Sequence, residues 1–99
     1  MLLSLVDELE LTTCKAILER IRARAIDKFG EKWMAGLTNS YVSLAKSQGD
    51  EKASAGNRRT QLERVFENGS CNADTLIMLA AAVGCRFQMV CVVEEIEEL

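Results

Sequence analysis

Residues 62–70 read Leu62-Glu63-Arg64-Val65-Phe66-Glu67-Asn68-Gly69-Ser70, and residues 73–85 read Ala73-Asp74-Thr75-Leu76-Ile77-Met78-Leu79-Ala80-Ala81-Ala82-Val83-Gly84-Cys85. In the first stretch Leu62, Val65 and Phe66 fall at helical spacing, and Asn68-Gly69 supplies a stop. In the second, Asn72 is a good N-cap and Asp74 sits in the first turn, where an acid complements the helix dipole. Leu76, Ile77, Leu79, Ala80 and Val83 cover several sides of that helix, so it is expected to be well buried, with Gly84 just past its end. The pair predicts two short helices joined by a tight polar connection.

Upstream of residue 62, Arg58-Arg59-Thr60-Gln61 begins the first of these helices. Residues 49–57 (Gly-Asp-Glu-Lys-Ala-Ser-Ala-Gly-Asn) are small and polar and predict a flexible loop, with at most one helical turn around Glu51–Ser54. Trp33, Leu37, Tyr41 and Leu44 recur at spacings of four, four and three and predict a helix from Glu31 to Ser47, closed by Gln48-Gly49-Asp50. Ile17, Leu18, Ile21, Ala25 and Phe29 predict another, with Thr12 or Thr13 as N-cap and Gly30 as its end. Leu2, Leu5, Val6 and Leu9 fit a short amphipathic helix or a dimer-contact arm.

Downstream the period changes. Phe87, Met89, Cys91 and Val93 alternate with Arg86, Gln88, Val90 and Val92, the pattern of a strand with one strongly apolar face. A lone strand needs a partner, and a second copy of itself is the simplest one. The expected fold is therefore mainly α: a compact helical bundle with one C-terminal β-strand paired across a homodimer. Residues 1–99 form one domain, divided into N-terminal helices (1–48), a second helical region (49–85), the strand (86–93) and an acidic tail (94–99).

Composition narrows the function. The 99 residues include 48% hydrophobic and 27% charged side chains, enough for one modest core. Proline and histidine are both absent, so the commonest helix breaker and the commonest acid–base catalyst are missing. With no glycine-rich phosphate loop and no paired acids in a recognisable site, an enzyme is not expected, nor is a cofactor. The four cysteines (Cys14, Cys71, Cys85, Cys91) have no Cys-x-x-Cys spacing, so they read as small buried apolar residues and no metal site is expected. No apolar run reaches membrane-spanning length, and the acidic start argues against a secretory signal; a cytoplasmic protein without membrane contact is expected.

Charge is uneven. The net charge is −3, but Lys15, Arg20, Arg22, Arg24, Lys28 and Lys32, then Lys46, Lys52, Arg58, Arg59 and Arg64, make a basic middle between acidic ends. Such a total disfavours tight non-specific nucleic-acid binding and leaves room for a local basic face. Arg20, Arg22 and Arg24 read as a solvated face, and Trp33 as a core anchor.

The stretch at 62–85 resembles the end of Cro/CI-type (XRE-like) helix-turn-helix domains, closest in flavour to HigA-like addiction-module antidote proteins. There a recognition helix ends in a Glu-Asn-Gly-like turn and is followed by a helix of the "tLxxLaxalG" kind, and in many antitoxin-like members by a strand. The resemblance spans roughly residues 44–93. It departs from the family at Asp50–Ala55, where the first motif helix is short and lacks a large apolar residue.

The resemblance implies a helix-turn-helix-like C-terminal half that binds double-stranded DNA as a homodimer: a transcriptional repressor or antitoxin-like autoregulator. A recognition helix presents its N-terminal residues to base edges, where Arg pairs with guanine and Gln with adenine. It assigns Asn57, Arg58, Arg59, Thr60, Gln61 and Arg64 to that surface and Lys46 and Lys52 to phosphates, with Phe87, Met89, Cys91 and Val93 as the dimer strand. The alternative is a protein-binding module of the same fold (antitoxin, antirepressor or adaptor) that has lost DNA binding and acts on a toxin or other regulatory protein.

Overall fold

A computed structural model gives the chain's structure and describes residues 13–91. Four α-helices follow in order: α1 (Cys14–Phe29), α2 (Trp33–Ser47), α3 (Ala55–Asn68) and α4 (Ala73–Ala82), with a 3-10 turn, Gly30–Lys32, between the first two. The protein is mainly α-helical. No helix among the described residues is long and apolar enough to cross a membrane.

Helices α1, α3 and α4 each begin at a side-chain oxygen that takes an amide otherwise left without a partner. Thr13 accepts from the Ala16 amide at 3.1 Å, Ser54 from the Asn57 amide at 3.3 Å, and Asn72 from the Thr75 amide at 2.8 Å. Helix α1 closes at Gly30, whose amide donates to the Ile26 carbonyl, and α3 at Gly69, which takes a left-handed conformation. Two ends share a further device. At the end of α2 the Asp50 amide reaches the Ala45 carbonyl and the Gly49 amide the Lys46 carbonyl; at the end of α4 the Cys85 amide reaches Ala80 and the Gly84 amide reaches Ala81. These are Schellman motifs, and each turns on a glycine of positive φ, 101° at Gly49 and 79° at Gly84.

Helix α2 is the centre and packs against each of the other three. The core joins Leu18, Ile21 and Ala25 of α1, Leu37 and Tyr41 of α2, Leu62 and Val65 of α3, and Leu79, Ala80 and Ala82 of α4. Leu37, Leu62 and Leu79 are wholly enclosed at 0% exposure, and burying each such side chain contributes about 1.5–3 kcal/mol. A second small cluster seats Ala53 of the α2–α3 loop on Val42 and Ala45. Polar groups inside the bundle are accommodated: the buried Thr38 donates to the Met34 carbonyl at 2.7 Å, and the half-buried Ser40 reaches across to the Ala82 carbonyl at 3.0 Å. Gly36 leaves room for Phe29, whose ring lies where a side chain at 36 would stand; at Gly56, on α3, a Cβ meets nothing.

Three expectations change. The Glu31–Ser47 helix opens with a 3-10 turn, and α2 itself begins at Trp33. Helix α3 starts at Ala55, three residues before Arg58, because Ser54 and Asn57 form a capping box in which each side chain takes the other's amide. Ahead of it the expected loop holds no helix: the chain makes a turn at Glu51-Lys52 and then extends to Ser54. The expected strand is not formed over Arg86–Cys91, and none is present among the described residues. A strand exists through a hydrogen-bond ladder with a neighbour, and nothing in the described part of the single chain supplies one. Val93, the amphipathic segment at 2–9 and the tail at 94–99 lie outside the described residues.

Candidate nucleic-acid interface

The surface assigned to DNA gathers on the first turns of α3 and the loop before it. Arg59, Thr60, Gln61 and Arg64 are exposed, as are Lys46 at the end of α2 and Lys52 in the loop; Arg58 is half-buried. Leu62 and Val65 turn the opposite face of α3 into the core. Burial on one face thus fixes which residues the other presents, as expected of an amphipathic helix.

Side-chain partners divide these residues. Asn57 is committed to the fold: its Oδ1 accepts from the Ser54 amide at 3.1 Å and its Nδ2 donates to the Lys52 carbonyl at 3.1 Å. Reading a base with Asn57 would therefore mean opening the cap. Arg58 pairs with Asp50 at 2.5 Å, and its other terminal nitrogen lies 3.4 Å from Gln61 Oε1. Arg59 pairs with Glu63 at 2.9 Å, both side chains about half exposed. Ion pairs this exposed contribute about 0–1 kcal/mol, so either guanidinium can exchange its carboxylate for a phosphate or a guanine edge at small cost. Thr60 and Arg64 have no side-chain hydrogen bond among the described residues.

The Arg59–Glu63 pair is readable from its spacing of four. The Asp50–Arg58 pair is not, because the two meet only after the Schellman turn at Gly49 has placed Asp50 beside α3. In a helix-turn-helix unit two helices are joined by a turn of three or four residues. Here the helix ahead of α3 is α2, and seven residues, Gln48–Ser54, separate them.

Two of the arginines read as a solvated face also border a cleft that the sequence does not reveal. Arg20, Arg24 and Asp27 of α1 face Arg86, Phe87 and Gln88 across a cleft of about 710 Å³, with Ile21 and Ala80 among the residues at its walls. Of the α1 arginines, Arg22 points elsewhere, its guanidinium 5.5 Å from the centre of the Trp33 ring. Trp33 is half-buried and meets Phe66 edge-on at 5.4 Å between ring centres, which suits the expected anchoring role. The spacing of positions 20, 22 and 24 already requires this split, because alternate positions diverge around a helix.

The apolar positions of the C-terminal segment are open. Met89 is 88% exposed and Val90 77%, and Phe87 is exposed despite its place beside the cleft. Cys91 is exposed as well. No backbone hydrogen bond among the described residues ties Arg86–Cys91 to the bundle.

Compared with protein-family models, curated proteins and solved structures, the chain matches none. Functional inference therefore starts from these residues.

Proposed function

We propose that this protein is a DNA-binding transcriptional regulator, a repressor or antitoxin-like autoregulator that acts as a homodimer. The observation that carries the reading is α3, which exposes Arg59, Thr60, Gln61 and Arg64, with the half-buried Arg58 at their edge, on a capped helix held from behind by Leu62 and Val65. Arg58, Arg59 and Gln61 suit base edges, while Arg64, Lys46 and Lys52 suit phosphates. Asn57 serves this surface by fixing the helix start. Phe87, Met89 and Cys91, with Val93 beyond them, form the dimer strand when a second copy supplies the ladder. Cytoplasmic action follows from the same reading.

Fluorescence anisotropy with random-sequence duplex DNA across a salt series tests it. The expected result is a steep fall of affinity with salt that flattens in Arg58→Ala/Arg59→Ala, since each phosphate left without its cation lowers the slope by about one. Unchanged affinity and slope in that variant would remove the assigned surface.

The second reading is a protein-binding module of the same fold. The seven-residue loop between α2 and α3, in place of a packed first motif helix, favours it. It predicts no DNA binding at about 50 mM salt, where electrostatic attraction to phosphate is strong, and a stoichiometric protein partner on co-purification.

A further inference from the structure

The four cysteines fall into two settings. Cys85 and Cys91 lie beyond α4, whereas Cys14 is the first residue of α1 and Cys71 immediately precedes the Asn72 cap of α4. Cys14 and Cys71 are far apart in sequence, yet both are half-buried against the same core. The Gly69 loop lies directly on the start of α1: a Cβ at Gly69 would stand 3.2 Å from Lys15 Cγ. Cys71, two residues beyond Gly69, and Cys14, beside Lys15, therefore flank one close contact between the loop and α1.

We propose that Cys14 and Cys71 are a redox-sensitive pair that closes to an intramolecular disulfide on exposure to hydrogen peroxide or an organic hydroperoxide. This inference is independent of the DNA-binding reading. In the first step the Cys14 thiolate attacks peroxide, forming a sulfenic acid and releasing hydroxide. In the second the Cys71 sulfur displaces that hydroxyl, forming the S–S bond with loss of water. Two thiols and one hydrogen peroxide thus give one disulfide and two waters; the sulfurs are oxidised and the peroxide oxygens reduced.

The order of steps has a physical basis. Burial, followed by the neighbouring Cys14 sulfur, raises the Cys71 thiol from 9.0 to about 11. Cys71 is therefore a poor initial attacker at neutral pH, and the closing step accelerates as pH rises toward that value. The bond ties the start of α1 to the start of α4 and encloses α2 and α3 within its loop. A cross-link that closes so long a loop raises Tm by about 10–20 °C.

The test uses the full-length protein with hydrogen peroxide at pH 8. Thiol titration under denaturing conditions is expected to fall from the four of the sequence to two, with the protein still monomeric on a non-reducing gel. Digestion with trypsin and Asp-N separates the cysteines, and a linked pair of peptides covering residues 7–15 and 65–73 is expected. Cys85→Ser/Cys91→Ser should oxidise equally and melt higher than its reduced form. Cys14→Ser and Cys71→Ser should each abolish the linked pair and the shift in Tm. A bond mapped to Cys85–Cys91, a disulfide-linked dimer, or four titratable thiols after treatment would each overturn the assignment.

Discussion

Helices α2 and α4 end by the same device and lead to opposite outcomes. After Gly49 the chain is caught at once: Asp50 meets Arg58, Ala53 is buried on Val42 and Ala45, and Ser54 begins the next helix. After Gly84 no hydrogen bond and no buried side chain among the described residues holds Arg86–Cys91: Arg86–Gln88 border the cleft on α1, and Met89 and Val90 stand in solvent. A Schellman turn settles how a helix stops, because its two hydrogen bonds are local. Where the chain goes next depends on whether a following residue finds a pocket or a counter-charge. The loop after α2 has both within five residues; the segment after α4 has apolar residues that the bundle leaves uncovered.

The largest test concerns what both ends lean on. Leu62→Ala and Leu79→Ala should each cost about 3–5 kcal/mol of stability in urea unfolding, since both side chains are fully enclosed. A cost below about 1 kcal/mol for Leu79 would mean that α4 is not part of the cooperative unit. Next comes the contrast between the two segments. Ala53→Asp places a charge in a closed apolar cluster and should destabilise by about 2–4 kcal/mol, whereas Met89→Asp should stay within about 0.5 kcal/mol at protein concentrations below any dimerisation. Equal effects would erase the distinction between caught and uncaught chain. Substitution at the two glycines should then look alike: Gly49→Ala and Gly84→Ala each force a side chain into positive φ and should cost about 1–2 kcal/mol by thermal melts. The smallest stability effect belongs to Asp50→Asn. The half-exposed pair it breaks is worth about 1 kcal/mol, but freeing Arg58 should tighten binding to duplex DNA and steepen its salt dependence. Weaker binding would show that Asp50 positions Arg58 instead of competing for it.

Much of the bundle was legible because its signals are local. Thr13, Gly30, Gly69, Asn72 and Gly84 mark helix ends by chemistry that acts within a few residues, and all five stand where the sequence places them. The start of α3 was not legible, since a capping box with asparagine at its third position is a weaker sign than one with Glu or Gln, and Gly56 lowers helix propensity just inside it. Thr38, Val42 and Ala45 were missed as buried residues of α2. Their burial follows from its central place among three helices, which the stripe through Trp33, Leu37, Tyr41 and Leu44 does not reveal. The candidate interface was legible as residue types, and the exposure of Arg59, Thr60, Gln61 and Arg64 follows from their helix face. The partners were not: Asp50 reaches Arg58, and Asn57 reaches Lys52, only through the folded loop.

The two helical glycines have different futures under mutation. At position 36 a neighbouring ring occupies the volume any substituent would need, so a saturation library selected for folding should return glycine almost alone. At position 56 the surrounding space is empty, and alanine should be enriched there, since it favours the helix by about 0.5–1 kcal/mol. The same amino acid is a fixed point of the sequence in one helix and a freely replaceable residue in the next.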